Sequence, residues 1–119
     1  MSVVFLHYPK CDTCRRAKRW LEDHGVEFTP REIHIDRPSA EELAAFAKAA
    51  GLPARKLVNT SGRLYRELGL RDRIAAMTEE ELFALLSTDG MLVKRPILAG
   101  ADFALVGFRP DEWKRRLAP

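Results

Sequence analysis

Long apolar runs are missing from this 119-residue chain. No stretch approaches the ~20 residues that cross a bilayer as a helix. The opening Met1–His7 has no Lys or Arg ahead of its apolar stretch and no small-residue cleavage signature. No secretory leader or membrane association is therefore expected, and a cytoplasmic, reducing setting is. Cysteine is scarce as well. Cys11 and Cys14 are the only two, which excludes a disulfide-built scaffold. Glycine and proline number seven each and hydrophobic residues make up 46%. Those values exclude a collagen-like chain and a disordered one. Nor is one sign of charge in large excess: twenty Lys+Arg against seventeen Asp+Glu leave +3. The densest basic runs, Arg15–Arg19 and Lys114–Arg116, fall on helix patterns and read as solvated faces. With no helix-turn-helix pattern and no aromatic–basic interleaving, direct DNA binding is not expected.

The length suits one domain over residues 1–119, expected to be a monomer. Val3–Leu6 is a short apolar run that predicts a strand buried on both faces. Cys14, Ala17, Lys18 and Leu21 share a helical spacing, so a helix is expected from about Asp12 to His24, closed by Gly25. An alternating segment from Val26 through Ile33 and Ile35 predicts a second strand, and Pro30 places it at an edge. Ser39 with Glu42, and Thr78 with Glu81, are capping boxes that open two further helices. Between them, short helices are expected around Arg55–Val58 and Leu64–Leu68, with turns at Asn59–Gly62 and Gly69. Pro96–Leu98 and Phe103–Val106 read as a hairpin around Gly100–Asp102. Pro110 opens a last helix with acids in its first turn. The order is β-α-β, several helices, then β-β-α, an α/β fold.

The chemistry gathers at Cys11-Asp12-Thr13-Cys14, at the junction of the first strand and the first helix. A sulfur at a helix start faces unpaired N–H groups and the positive end of the macrodipole. That setting is expected to favour the thiolate of Cys11, the reactive form, with Lys10, Arg15 and Arg16 adding positive potential and Asp12 opposing it. Three residues on, Cys14 lies one turn deeper on the same face, where it can resolve a mixed disulfide on Cys11. Other readings of the pair are a zinc site completed by His7, His24 and His34, an inert buried pair, or a structural disulfide. One CxxC supplies only half a tetrahedral site, so no bound metal is expected. His7 ends the strand four residues before Cys11, aimed at the thiolate or simply packed; Arg95 and Arg109 flank the hairpin, as anion ligands or ordinary exposed arginines.

Phe5-Leu6-His7-Tyr8-Pro9-Lys10-Cys11, the run Leu92-Val93-Lys94-Arg95-Pro96-Ile97 and Val106-Gly107-Phe108 together resemble the ArsC/Spx family. The segment from Asn59 through Leu70 fits it too. That family holds glutaredoxin-linked arsenate reductases and Spx-type transcriptional regulators. The resemblance implies a thioredoxin-like, glutaredoxin-type fold: a four-stranded mixed sheet with a helical insertion at about 39–90. It implies a cis Pro96. For the arsenate reductases it implies that Cys11 attacks the oxyanion, with His7 beside it and Arg95 and Arg109 as ligands. It makes glutathione a co-substrate rather than a bound cofactor, and glutaredoxin or thioredoxin the reducing partner. The third arginine of the reductases falls where this chain has Asn59, and Cys14 is a further departure. The CxxC belongs to the Spx-like branch, including MgsR-like members. There the resemblance implies a redox switch that binds the C-terminal domain of the RNA polymerase alpha subunit, through a contact near Gly51.

Overall fold

The computed structural model describes residues 3–117. The first two residues of the N-terminal reading and the last two of the chain lie outside the described residues. Strand β1 (Val4–His7) leads into helix α1 (Asp12–Asp23), and β2 (Thr29–Glu32) follows. Helices α2 (Ala40–Ala50), α3 (Arg63–Glu67), α4 (Leu70–Arg73) and α5 (Glu79–Leu86) come next, with single 3-10 turns at Ala54–Leu57, Ile74–Ala76 and Gly90–Leu92. Strands β3 (Ile97–Ala99) and β4 (Ala104–Val106) and helix α6 (Pro110–Leu117) complete the fold.

The sheet order is β2-β1-β3-β4. β1 runs parallel to β2 and antiparallel to β3, and β3 pairs antiparallel with β4. A parallel neighbour needs a crossover, and α1 is that crossover. Alternation along the central strands then splits the core in two. Phe5 and Leu98 face one side, with Ala17 and Leu21 of α1 and Trp113 of α6. Leu6 and Ile97 face the other, with Leu43, Leu57, Leu82 and Leu86 from the inserted helices. Because both faces are covered, β1 and β3 carry unbroken apolar runs rather than an apolar–polar alternation.

Both capping boxes form. Ser39 and Thr78 accept from the N–H groups of Glu42 and Glu81, and each glutamate accepts from the N–H of its capping residue. Elsewhere the structure shortens or adds elements. The strand expected from Val26 to Ile35 is only Thr29–Glu32. Pro30 sits on this edge strand opposite Phe5, where a missing N–H breaks no second ladder. Beyond Glu32 the chain turns, with Ile35 and Asp36 N–H groups both bonded to the Glu32 carbonyl. Ile33 is therefore buried while Ile35 is 70% exposed. Helix α4 is an addition to the expected elements, and the chain turns at Asp89-Gly90 into the 3-10 turn Gly90–Leu92. Gly90 packs so tightly that a Cβ there would sit 1.9 Å from the Ile33 carbonyl oxygen. The hairpin turn closes by Gly100 N–H to Phe103 O at 2.9 Å.

Candidate active site

Cys11 is the N-cap of α1, in extended backbone at φ −93° and ψ 119°. Its Sγ accepts the Cys14 N–H at 3.4 Å, one of the orphan donors of the first turn. Its own N–H is bonded to Tyr8 O at 3.0 Å, which closes the turn after β1. Cys14 lies below it, 1% exposed. Burial pushes the Cys14 thiol up to about 12; the thiol hydrogen bond and charge of Cys11 add to this, and a Tyr8 backbone hydrogen bond and Arg95 oppose it. Both cysteines are free thiols.

Cys11, Arg95 and Arg109 line one cavity of about 520 Å³, within the usual range of small-molecule sites. One other stretch of chain, Val58–Gly62, completes it. The loop Asn59–Gly62 forms one wall, and Arg16 and Lys94 add two more cations. Among the described residues no Asp or Glu lines it. Hydrogen bonds outside the sheet fix these walls. Asn59 N–H donates to Leu92 O and Lys94 N–H to Leu57 O, both at 2.8 Å, on either side of a bridge between Val58 and Val93. Gly107 N–H donates to Pro96 O at 2.8 Å. The buried Trp113 indole donates to Gly107 O at 3.0 Å and so holds the Gly107–Arg109 turn. Gly107 has φ +78°, a conformation that suits glycine.

Arg95 is the unusual member. Its Nε and Nη1 are buried and have no hydrogen-bond partner among the described residues. Its guanidinium lies 5.2 Å from the centre of the Tyr8 ring. A half-buried guanidinium with two enclosed, open donors in the cavity of a thiol is suited to an anion. Pro96 follows in a cis peptide bond and is buried.

His7 is not in the lining of this cavity. It stacks on Phe5, ring centres 5.1 Å apart, near Lys18 and Glu32. Burial lowers its basicity; Glu32 opposes that, while Lys18 and His34 add to it. The histidines offered for a zinc site do not converge with the cysteines. His24 stacks on Trp20 at 3.9 Å, and His34 meets Tyr8 edge-on at 4.9 Å. Among the described residues no three His, Cys, Asp or Glu side chains gather to hold a metal. No helix is long and apolar enough to cross a membrane, among those same residues. Asn59, the residue that departs from the three-arginine pattern, is used by its own loop. Its Nδ2 donates to Met91 O at 3.2 Å and its Oδ1 accepts from Ser61 N–H at 3.3 Å. Arg16, one of the basic residues expected to add positive potential near Cys11, lines the cavity, whereas Lys94 and Thr60–Gly62 were missed as cavity residues. Only the glycine and the small polar residues of Asn59–Gly62 signalled a loop near a ligand.

The ArsC family model matches residues 6–116. The chain belongs to the ArsC family. This ArsC-family chain is 48% identical to YusI of Bacillus subtilis, over 99% of this chain and 100% of that protein. It is 31% identical to the regulatory protein MgsR of the same organism, over 93% of this chain and 86% of MgsR. A crystal structure of an ArsC-family-related protein from Bacteroides fragilis, 50% identical, superposes with a TM-score of 0.94 over 97% of each chain. The mixed four-stranded sheet with its helices is thus the thioredoxin-like arrangement of ArsC-family proteins.

Proposed function

We propose that this ArsC-family protein is a thiol–disulfide oxidoreductase acting on a small anionic substrate. The observation that carries this is Cys11 Sγ capping α1 within a cavity lined by the open guanidinium of Arg95. Cys11 Sγ accepts an N–H at the start of α1 and shares its cavity with Arg95, and the thiolate is the form of a cysteine that reacts. That thiolate attacks one sulfur of a substrate disulfide, forms a mixed disulfide, and expels the other half as a thiolate. Cys14 then loses its proton and attacks Cys11 Sγ, which releases the second thiol and leaves a Cys11–Cys14 disulfide. Two electrons pass from the protein to the substrate. Once Cys11 is in a mixed disulfide its negative charge is gone, and one of the causes that hold Cys14 protonated goes with it. Glutathione, a glutaredoxin or a thioredoxin regenerates the dithiol. Arsenate is the alternative substrate: Arg95 and Arg109 would hold its oxygens, but Asn59 supplies no third guanidinium.

Mass spectrometry of the reduced protein with glutathione disulfide tests this. Cys11→Ser should abolish the reaction, and Cys14→Ser should accumulate the mixed disulfide on Cys11. Unchanged oxidation of Cys11→Ser would overturn the assignment.

A second reading, a redox-sensing regulator, is favoured by the CxxC together with the likeness to MgsR. The thiol chemistry is shared and the partner differs. Capture of the C-terminal domain of the RNA polymerase alpha subunit by either the reduced or the oxidised protein would support it. No capture in both states would remove it.

A further inference from the structure

The Cys11 cavity does not end at Lys94. A second cavity of about 310 Å³ shares Val58, Thr60 and Lys94 with it, and is lined further by Arg55, Lys56, Tyr65 and Arg71. Again no Asp or Glu among the described residues contributes to the lining. None of the cations of either cavity makes an ion pair among the described residues. Cations elsewhere on the chain do find acids: Arg31 meets Glu42 and Asp36, Arg63 meets Glu67, and Arg116 meets Asp102. Unpaired like charges around one concavity repel one another, so the arrangement favours a bound polyanion.

We infer that the substrate of Cys11 is a low-molecular-weight disulfide carrying phosphate groups at the far end from its sulfur. This rests on the thiol–disulfide reading above. The sulfur would lie at Cys11 and the phosphates in the cleft of Arg55, Lys56 and Arg71, with Lys94 between. Two features select phosphate. Guanidinium forks match phosphate oxygens in bidentate geometry. Moreover, neither cavity offers a carboxylate to a free ammonium group. Glutathione carries such an ammonium; a phosphorylated pantetheine thiol does not. Glutathione therefore suits the role of reductant better than that of the held substrate. A nucleic-acid backbone could meet the same cations but would bring no sulfur to Cys11.

The exchange balances without another reagent. The Cys11 thiolate displaces one phosphorylated thiolate from the disulfide, Cys14 displaces the second, and the protein retains the disulfide.

Rates of oxidation of the reduced full chain should be measured with coenzyme A disulfide, with the disulfide of 4′-phosphopantetheine, with pantethine (which lacks both the phosphates and the adenosine of coenzyme A) and with glutathione disulfide; the phosphopantetheine disulfide should keep most of the advantage over pantethine. Coenzyme A disulfide should react about tenfold or more faster than pantethine at low ionic strength. In Arg71→Glu and in Lys56→Glu, each checked for folding by circular dichroism, that ratio should fall towards one. Equal rates for the two, a ratio that survives both substitutions, or a faster reaction with glutathione disulfide would each overturn the inference. So would suppression of the coenzyme A advantage by duplex DNA but not by adenosine 3′,5′-bisphosphate, which would assign the cleft to nucleic acid. If none of the disulfides oxidises Cys11, the thiol–disulfide reading itself falls, and this one with it.

Discussion

Replacing Arg95 by methionine separates stability from function. The two side chains are similar in length, but the methionine buries no charge. In the wild type, Nε and Nη1 are both buried without partners among the described residues. Each unpaired buried donor costs at least about 1 kcal/mol, so the two together cost about 2 kcal/mol. Stacking over Tyr8 at 5.2 Å returns about 1 kcal/mol. Removing the guanidinium should therefore stabilise the protein by about 1 kcal/mol, seen as a rise in Tm of about 4 °C. Cys11 should respond in the opposite direction. A hydrogen bond to a charged group contributes about 1.5–3 kcal/mol, so oxidation by an anionic disulfide should slow by about 10- to 100-fold. Thermal unfolding of Arg95→Met, paired with stopped-flow oxidation by glutathione disulfide, reads both quantities. A variant that is less stable yet reacts at the wild-type rate would refute the idea that Arg95 is held unsatisfied for a ligand.

Three further outcomes are expected. Iodoacetamide at pH 8 should modify Cys11 and leave Cys14 untouched in the native protein, since burial first, then Cys11, pushes Cys14 up to about 12; equal labelling of both would show that Cys14 is not enclosed. Arg31 donates to Glu42 at 3.0 Å and 2.6 Å, and this pairing first of all holds the Glu42 carboxyl down at about 2 from its ordinary 4.5. Its contribution is complete above about pH 4.5 and is lost as the pH falls towards 2, because the unfolded chain takes up the proton first. Urea midpoints of Glu42→Gln should show a flatter decline over that window, and an identical decline would exclude the pair as its source. Trp113→Ala should cost about 3–5 kcal/mol, as the indole is fully buried and its hydrogen bond to Gly107 disappears; a urea titration reads this, and a loss under 1 kcal/mol would show that the turn holds itself.

Local patterns carried the first and last parts of the fold. β1, α1, the two capped helices and the hairpin were legible because each has its own periodicity, cap or turn residue within a few positions. The middle was not. Residues 63–76 contain no capping side chain, and the described caps of α3 and α4 make no side-chain bond to the helix start. Their helices form where Leu70, with the half-buried Leu64 and Ile74, meets a core assembled from distant segments. The second strand was overextended for a related reason: Ile33 and Ile35 alternate in sequence, but a turn sends them to opposite fates.

For the site, neighbouring residues sufficed to place Cys11 at the start of α1 and Cys14 one turn below it. A thiol at a helix cap and a second three residues on are consequences of spacing and backbone geometry alone. Which charges face that thiol depends on tertiary structure. Arg95, Arg109, Lys94 and the Asn59–Gly62 loop meet only because strand pairing and the Val58–Val93 bridge join segments far apart in the chain. The same assembly left Arg95 with open donors among the described residues and put the face of β1 that carries Phe5 and His7 away from the cavity. No local pattern encodes those results, because they follow from which faces the sheet buries.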